Sequence, residues 1–325
     1  MSTGMVKSNW NFWIGSAVVF GLALLAALTV KNEYYFFAAY VVLQFMVLAS
    51  AWNILGGFAG YVNFGTSAFF GVGAYIAVLL IKSMNAPLGL QILAASAVGA
   101  VMGVACGLLT LRLRGIFFSI ATVAVAIILE TCINNWRYVG GATGVQLLRP
   151  PVMEPFDSYT KMIFMVAVLL AIISVAVARY IQTSWIGRGL RAIRDNEEAA
   201  ECAGVPTLKL KLLACALSGA LMGAIGAPLA MYQSFIEPAS AFNMNYSVSA
   251  LAMPIIGGTS HWIGPVIGAL LLGSVQQIVT VTITSELNVM VVGVLLVVFV
   301  VGAPDGIVGL FNKYWRKRSR AGKTP

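Results

Sequence analysis

The chain has 325 residues, of which 60% are hydrophobic and only 10% are charged. A soluble domain carries about 25% charged residues, so lipid rather than water is the solvent that tolerates such a surface. The net charge is +9, but Lys and Arg are concentrated in a few loops and in the tail. This distribution indicates membrane topology and contact with anionic lipid headgroups, and it argues against binding of nucleic acid.

Ten apolar runs are candidates to cross the membrane, because a helical span needs about 20 apolar residues. Two of them, 66–81 and 247–257, are short and adjoin Gly-rich stretches, so eight or nine spans are also possible. The sequence therefore predicts an all-α polytopic membrane protein with about ten transmembrane helices. The runs are 13–30, 34–55, 66–81, 87–111, 115–133, 161–181, 212–232, 247–257, 262–282 and 288–303.

The distribution of basic residues predicts how these spans are oriented. With both termini inside, the inner segments hold 15 Lys and Arg residues and the outer segments hold five. Short loops rich in Lys and Arg stay in the cytoplasm, so we expect both termini to be cytoplasmic. The chain then divides into a cytoplasmic N-terminus (1–12), a transmembrane domain (13–311) with a cytoplasmic coupling loop (182–211), and a basic cytoplasmic tail (312–325).

Several predicted spans carry small residues at four-residue spacing, which places them on one helix face. In lipid, such faces let helix backbones approach closely. We interpret them as packing surfaces of the bundle. They are Gly99, Gly103 and Gly107 in one span, Gly219 and Gly223 in another, and Gly264 and Gly268 in a third.

Two Gly-rich stretches, 56–73 and 253–265, interrupt the apolar pattern, and both contain Gly-Thr-Ser. Matched interrupted segments in the two halves of a chain are typical of a substrate path in transporters. The alternative is two polar loops that share a tripeptide by chance. The candidate path residues in or beside these stretches are Asn53, Asn63, Thr66, Ser67 and Ser260.

Glu130 is a further candidate for the path because it ends an otherwise apolar run. An acidic residue inside a span is a functional candidate by default. The alternative is that Glu130 lies at the outer interface and is simply solvated, since Asn134, Asn135 and Trp136 follow it.

In the inner loop, residues 182–211, which we call the charged loop, a group of basic residues precedes a group of acidic residues. One helix through all of them would place cations at its start and anions at its end, against the helix dipole. We therefore predict a turn near Asp195, which becomes the N-cap of a short helix over 196–203, with Glu198 completing a capping box. Gly204 then ends the helix in a left-handed conformation. The basic residues are Arg188, Arg191 and Arg194, and the acidic residues are Asp195, Glu197, Glu198 and Glu201.

The segment EAAECAG (198–204) resembles the Glu-Ala-Ala-x-x-x-Gly signature of ABC importer permeases. The wider similarity is to the branched-chain amino-acid permeases and their urea and amide relatives, and it covers most of the chain in the right order. It implies a bundle like that of type II ABC importer permeases. The similar stretches are 52–75, 111–130, 187–227 and 255–272, with a Pro-Asp-Gly-Ile-Val-Gly ending at 304–309.

In that family the signature segment docks on an ATPase. The resemblance therefore implies two ATPase subunits at the inner loops and a second, homologous permease subunit, which we expect to be a paralogue. It also implies a periplasmic or lipid-anchored substrate-binding protein. The coupling residues that it implies are Arg188, Arg191, Arg194, Asp195, Glu197, Glu198, Ala199, Ala200, Glu201 and Gly204.

No catalytic machinery is visible in the chain. A phosphate-binding loop with strand and helix context is absent, so we expect ATP hydrolysis on a separate subunit and no enzymatic activity here. The four cysteines and the single histidine lack the spacing of metal ligands, so we predict no metal site and no cofactor.

The predicted function is that of a permease subunit of an ATP-driven importer in the bacterial inner membrane. It would move branched-chain or other hydrophobic amino acids by alternating access. Around 62–66 and 257–264 the chain departs from the usual motifs of the family, which leaves a urea or short-amide substrate as an alternative. A stand-alone secondary transporter or channel is the alternative from another class, although it would usually need more ionisable residues within the spans.

Overall fold

A computed structural model describes residues 2–110, 113, 115–147, 158–282, 287–302, 306–310 and 313. Almost all of the regular structure is helical, which confirms the predicted fold class. The helices are α1 (Ser2–Thr29), α2 (Glu33–Ala59), α3 (Thr66–Met84), α4 (Leu88–Thr110), α5 (Ile116–Asn134), α6 (Tyr159–Thr183), α7 (Trp185–Asp195), α8 (Glu197–Cys202), α9 (Thr207–Gln233), α10 (Pro238–Ala241), α11 (Met244–Gly257), α12 (Ile263–Thr282) and α13 (Leu287–Gly302).

Each of the ten predicted apolar runs coincides with one of these helices. Among the described residues, eight helices are long and apolar enough to cross a membrane: α1 to α6, α9 and α12. The other two apolar runs form the shorter helices α11, of 14 residues, and α13, of 16 residues. The predicted basic tail lies outside the described residues apart from Lys313.

The bundle has two distinct ends. The loop end carries α7 and α8, and the strand end carries a short antiparallel pair, β1 (Val145–Gln146) with β2 (Phe235–Ile236). At the loop end the Phe12 ring of α1 lies 4.5 Å from the Arg179 guanidinium of α6. Gly306, which follows α13, is packed there against Gly258, with no room for a Cβ. The first half of α1 and the segment after α13 therefore lie at the same end.

The centre of the bundle is α9, which packs against α2, α3, α4 and α6. Its contact with α4 is backbone against backbone. A Cβ added to Gly99 would collide with the carbonyl oxygen of Gly219, and one added to Gly103 would collide with that of Cys215. The predicted close approach of glycine faces is confirmed, because only glycine lacks the atom that would hold the two backbones apart.

α2 forms the wall between α9 on one side and α11 and α12 on the other. It begins after Asn32, whose side chain accepts a hydrogen bond from the Tyr34 N–H at 3.0 Å. It ends at Gly60, whose φ of +79° is a left-handed conformation that glycine adopts without strain. This turn directs the chain into the first Gly-rich stretch, beside the charged loop.

Candidate functional site

The charged loop folds into two helices joined by a turn. α7 ends at Asp195, and Asn196 has an extended backbone with φ −162° and ψ 111°. The Asn196 side chain accepts a hydrogen bond from the Ala199 N–H at 3.1 Å. The predicted turn is confirmed, but the predicted N-cap was wrong by one residue. Because Asn196 is the cap, Glu198 is only two residues beyond it and does not form the predicted capping box.

The C-terminal end of α8 closes in a Schellman motif. Gly204 has φ +81°, as predicted, and its N–H donates to the Glu201 carbonyl at 2.9 Å. The Val205 N–H donates to the Ala200 carbonyl at 3.0 Å, and the Ala200 side chain is buried. These two bonds satisfy carbonyl groups that a helix end otherwise leaves unpaired. α8 has six residues, so its stability depends on contacts with the bundle.

One face of α8 is anchored by a nearly buried ion pair. The Lys211 Nζ of α9 donates to Glu197 Oε1 at 2.6 Å, and the two side chains are only 5% and 15% exposed. The Tyr61 hydroxyl donates to the other oxygen, Glu197 Oε2, also at 2.6 Å. Lys211 Nζ lies 3.3 Å from the same hydroxyl. Glu197 thus joins α8 to α9 and to the first Gly-rich stretch.

Two further contacts hold the charged loop to the bundle. Thr207, the first residue of α9, donates to Glu201 Oε1 at 2.6 Å. Arg194 donates from Nη1 to the Gly57 carbonyl near the end of α2 at 2.8 Å. A Cβ on Gly60 would lie 2.7 Å from Arg194 Cγ. α7 is therefore seated directly on the end of α2.

The remaining surface of the two helices faces outward. Of the ten predicted coupling residues, seven are exposed, Arg191 and Glu197 are half-buried, and Ala200 is buried. The exposed surface carries both signs of charge in separate patches, because the arginines lie on α7 and the acids follow. We call it the docking surface. It consists of Arg188, Arg194, Asp195, Glu198, Ala199, Glu201 and Gly204.

The first Gly-rich stretch descends into the bundle before α3 begins. The Trp52 indole N–H donates to the Asn63 carbonyl at 2.7 Å, and the Asn63 side chain accepts from the Gly65 N–H at 2.7 Å. The Phe64 N–H donates to Thr122 Oγ1 of α5 at 3.0 Å. We call residues 60–65 the re-entrant turn. These bonds pair the backbone of Asn63, Phe64 and Gly65 with protein groups, as irregular backbone inside an apolar bundle requires.

Three predicted path residues lie in the two helices that the re-entrant turn joins, Asn53 in α2 and Thr66 and Ser67 at the start of α3. Asn53, Thr66 and Ser67 are fully buried. The Ser67 N–H donates to Ser247 Oγ of α11 at 2.9 Å. The Asn53 amide and the Thr66 hydroxyl have no hydrogen-bond partner among the described residues. Buried polar atoms are nearly always hydrogen-bonded in native proteins, so these groups have unused capacity for a polar ligand or water.

The second Gly-rich stretch lies at the loop end, against the end of α2. The Trp262 N–H donates to Gln182 Oε1 of α6 at 2.7 Å. A Cβ on Gly57 would meet the Asn53 side-chain oxygen and would lie 2.9 Å from the Thr259 carbonyl oxygen. The two interrupted stretches are therefore in contact.

The two remaining predicted path residues are not fully buried. Ser260 is exposed at the loop end. Glu130 is half-buried in α5, eight residues beyond Thr122, which is about 12 Å toward the strand end at 1.5 Å per helical residue.

Sequence reasoning missed Tyr61, Lys211 and Ser247 as members of the site. The sequence could have indicated Lys211, since a basic residue directly before the apolar run of α9 is expected to need an acidic partner. No sequence pattern indicates Tyr61 or Ser247, because only the fold brings them to Glu197 and Ser67.

A family model described as the branched-chain amino acid transport system permease component matches residues 34–300. The match covers most of the chain and includes the re-entrant turn, the docking surface and the second Gly-rich stretch. The chain belongs to the branched-chain amino acid permease family. Together with the eight apolar helices, this makes it a multi-pass membrane permease of the ABC transporter class.

Curated relatives of this permease are similar at low identity, and LivM and LivH match over most of their length. The high-affinity branched-chain amino acid permease protein LivM of Salmonella typhimurium is 25% identical, over 95% of this chain and 80% of that protein. LivH of Escherichia coli is 23% identical, over 82% of this chain and 91% of that protein. The L-arabinose ABC transporter permease AraH of Azospirillum brasilense is 27% identical over 42% of this chain and 39% of that protein. No solved structure gives a significant match.

Proposed function

We propose that this permease is a subunit of an ATP-driven importer of branched-chain or other hydrophobic amino acids. The observation that carries the proposal is the docking surface, an exposed, charged and capped pair of helices at one end of an apolar bundle. A bundle with so few charged groups has little need for such a surface unless another protein binds it. The family match and the relatives LivM and LivH, both named as branched-chain amino acid permeases, support the cargo.

The assembly would contain two permease subunits, two ATPases and a substrate-binding protein. Similarity to both LivM and LivH supports a pair of homologous permeases. The loop end would face the cytoplasm, where the ATPases bind, and the binding protein would deliver substrate at the strand end. Both termini would then be cytoplasmic, in agreement with the excess of Lys and Arg in the inner segments.

Transport would occur by alternating access along a path beside the re-entrant turn. Asn53 and Thr66 would offer their unpaired amide and hydroxyl groups to the polar ends of an amino acid, and Asn63 and Ser67 would keep the surrounding backbone in place. ATP hydrolysis would move α7 and α8, and α2 would follow because Arg194 is bonded to the Gly57 carbonyl.

The proposal is tested by purifying the tagged permease. The cells used should also produce the ATPases and the binding protein that neighbouring genes encode. We expect the ATPases to co-purify and the reconstituted complex to take up radiolabelled leucine only when ATP is supplied. Competition by isoleucine and valine supports the amino-acid cargo, whereas competition by urea or acetamide alone would support the amide alternative. Uptake by the permease without ATPases would contradict the proposal and indicate a secondary transporter or channel.

A further inference from the structure

Glu197 belongs to the predicted coupling helix, but its carboxylate is directed away from the docking surface. Both of its oxygens are engaged inside the protein, Oε1 by Lys211 and Oε2 by the Tyr61 hydroxyl. The Lys211 ammonium also lies 5.2 Å from the centre of the Tyr61 ring. An acid held in this way is a poor contact for another subunit, because it would have to exchange two short charged hydrogen bonds for new ones.

Tyr61 connects this cluster to the transport path. It is the second residue of the re-entrant turn, and its ring packs edge-on against Phe118 of α5 at 5.1 Å between centroids. The next residues are held by Ser119 Oγ, which donates to the Val62 carbonyl at 2.8 Å, and by the bond from Trp52 to Asn63. The turn then continues into α3, whose first two residues are Thr66 and Ser67.

We propose that Glu197, Lys211 and Tyr61 form a positioning link that transmits movement of α8 to the re-entrant turn and the start of α3. The link rests on the proposed function, since an ATPase must move α8. Its three members come from α8, α9 and the re-entrant turn, so displacement of the short helix cannot leave the turn unaffected while the bonds persist.

The chemistry of the link suits transmission. Exclusion of water strengthens the attraction between Lys211 and Glu197, because the effective dielectric constant is lower than in bulk water. Tyr61 adds a second short hydrogen bond to the same carboxylate, so one side chain of α8 is bonded to both α9 and the re-entrant turn. The competing interpretation is that the three residues only hold α8 in place. That role predicts lost ATPase binding when the link is removed, whereas a transmission role predicts inefficient transport by an intact complex.

The test compares variants of the complete transporter in proteoliposomes, with leucine as the transported probe. Tyr61→Phe removes only the hydroxyl and keeps the ring against Phe118. Glu197→Gln combined with Lys211→Met removes both charges together, which avoids leaving one charge buried and unpaired. Lys209→Met is the matched control, because Lys209 is an exposed cation on the same helix, two residues earlier.

We expect both link variants to retain ATPase binding, ATP hydrolysis and the unfolding temperature. Leucine transported per ATP hydrolysed should fall by roughly 5- to 150-fold, the usual range of coupling between two sites. Lys209→Met should match the unmodified transporter. The reversed pair Glu197→Lys with Lys211→Glu should recover part of the loss, since the Tyr61 hydroxyl can accept a hydrogen bond from the introduced ammonium and donate one to the introduced carboxylate.

Unchanged leucine transport per ATP in the double variant would overturn the link. Loss of ATPase binding in that variant would overturn it as well, because the cluster would then serve only to fold α8. Absence of the ATPases from the unmodified complex would overturn the proposed function, and the link with it.

Discussion

Gly204 is a position of the docking surface at which a side chain can be added without a steric collision. Its φ of +81° is left-handed, and a Cβ at this position would meet no atom within 4 Å. Asn and Asp tolerate this conformation better than other residues with a side chain. Substitution here can therefore alter the charge of the docking surface while leaving the fold of α8 in place.

We predict that Gly204→Asp reduces leucine uptake by about tenfold or more without loss of folded permease. An added anion beside Glu201 changes the charge that the ATPase meets, and about 1.4 kcal/mol of lost interaction is a factor of ten. Gly204→Asn is the control, because it has the same size and similar conformational tolerance but no charge. Normal ATPase binding and uptake in the Asp variant would contradict the docking surface.

His261 gives the second Gly-rich stretch a dependence on pH. Burial lowers the pKa of His261 below its ordinary value of 6.5, and Nδ1 accepts a hydrogen bond from the Ile263 N–H at 3.2 Å. The folded protein therefore favours neutral imidazole, so we expect a loss of stability that begins near pH 6.5, where the unfolded chain takes up a proton, and continues as the pH falls to the lowered pKa of the folded protein. Protonation would turn the Nδ1 acceptor into a donor that faces another N–H.

We predict that His261→Asn reduces the fall in unfolding temperature between pH 7.5 and pH 5.5. Asn supplies an oxygen acceptor near the Ile263 N–H and does not titrate. The measurement is thermal unfolding of the purified permease in detergent at both pH values. An equal fall in both proteins would show that His261 stays solvated in both protonation states.

At the scale of elements, the backbone contact between α4 and α9 depends on glycine. We predict that Gly99→Val reduces the unfolding temperature markedly, because its Cβ would collide with the Gly219 carbonyl oxygen and overpacking costs about 1–3 kcal/mol. Gly21→Val is the matched control on α1, where a Cβ would meet no atom within 4 Å. The yield of monodisperse permease in detergent is the second measurement, and equal behaviour of the two variants would contradict the contact.

The charge order of the loop was sufficient to predict the break between α7 and α8, because the dipole argument depends only on residue types. It placed the N-cap one residue early, since Asp195 and Asn196 are both good caps and only backbone conformation distinguishes them. The bond from Lys211 to Tyr61 could not be predicted. These residues are 150 positions apart, and no local pattern indicates their pairing.

At the scale of the whole molecule, the ten apolar runs were predictable from hydrophobicity, and the run at 247–257 was correctly expected to be short, since α11 has 14 residues. The run at 66–81 was expected to be short as well, but α3 has 19 residues and is long enough to cross a membrane. For the predicted path residues, only the residue types could be recognised from the sequence. Their environments depend on how α2, α3 and α11 meet: Asn53 and Thr66 are buried without hydrogen-bond partners among the described residues, whereas Ser260 is exposed.

We predict that both ends of the chain and the loop between α6 and α9 face the cytoplasm. A fluorescent reporter fused after residue 325 should fold in the cytoplasm. A periplasm-dependent alkaline phosphatase inserted between Asn85 and Pro87 should be active, because this turn lies at the strand end. Cytoplasmic insertions near Asn196 serve as the inactive comparison. Activity in the opposite pattern would reverse the assignment of the two ends.

The short helix α8 has a consequence for assembly. α8 has six residues, and its buried Ala200 and the bond from Thr207 to Glu201 tie it to the bundle, so we expect it to form only after α9 has been inserted and packed. A nascent or misfolded chain would not display it. An ATPase that recognises α8 would thus bind only permeases that have completed folding. Misfolded permeases would be left out of the assembled transporter and would not stimulate ATP hydrolysis.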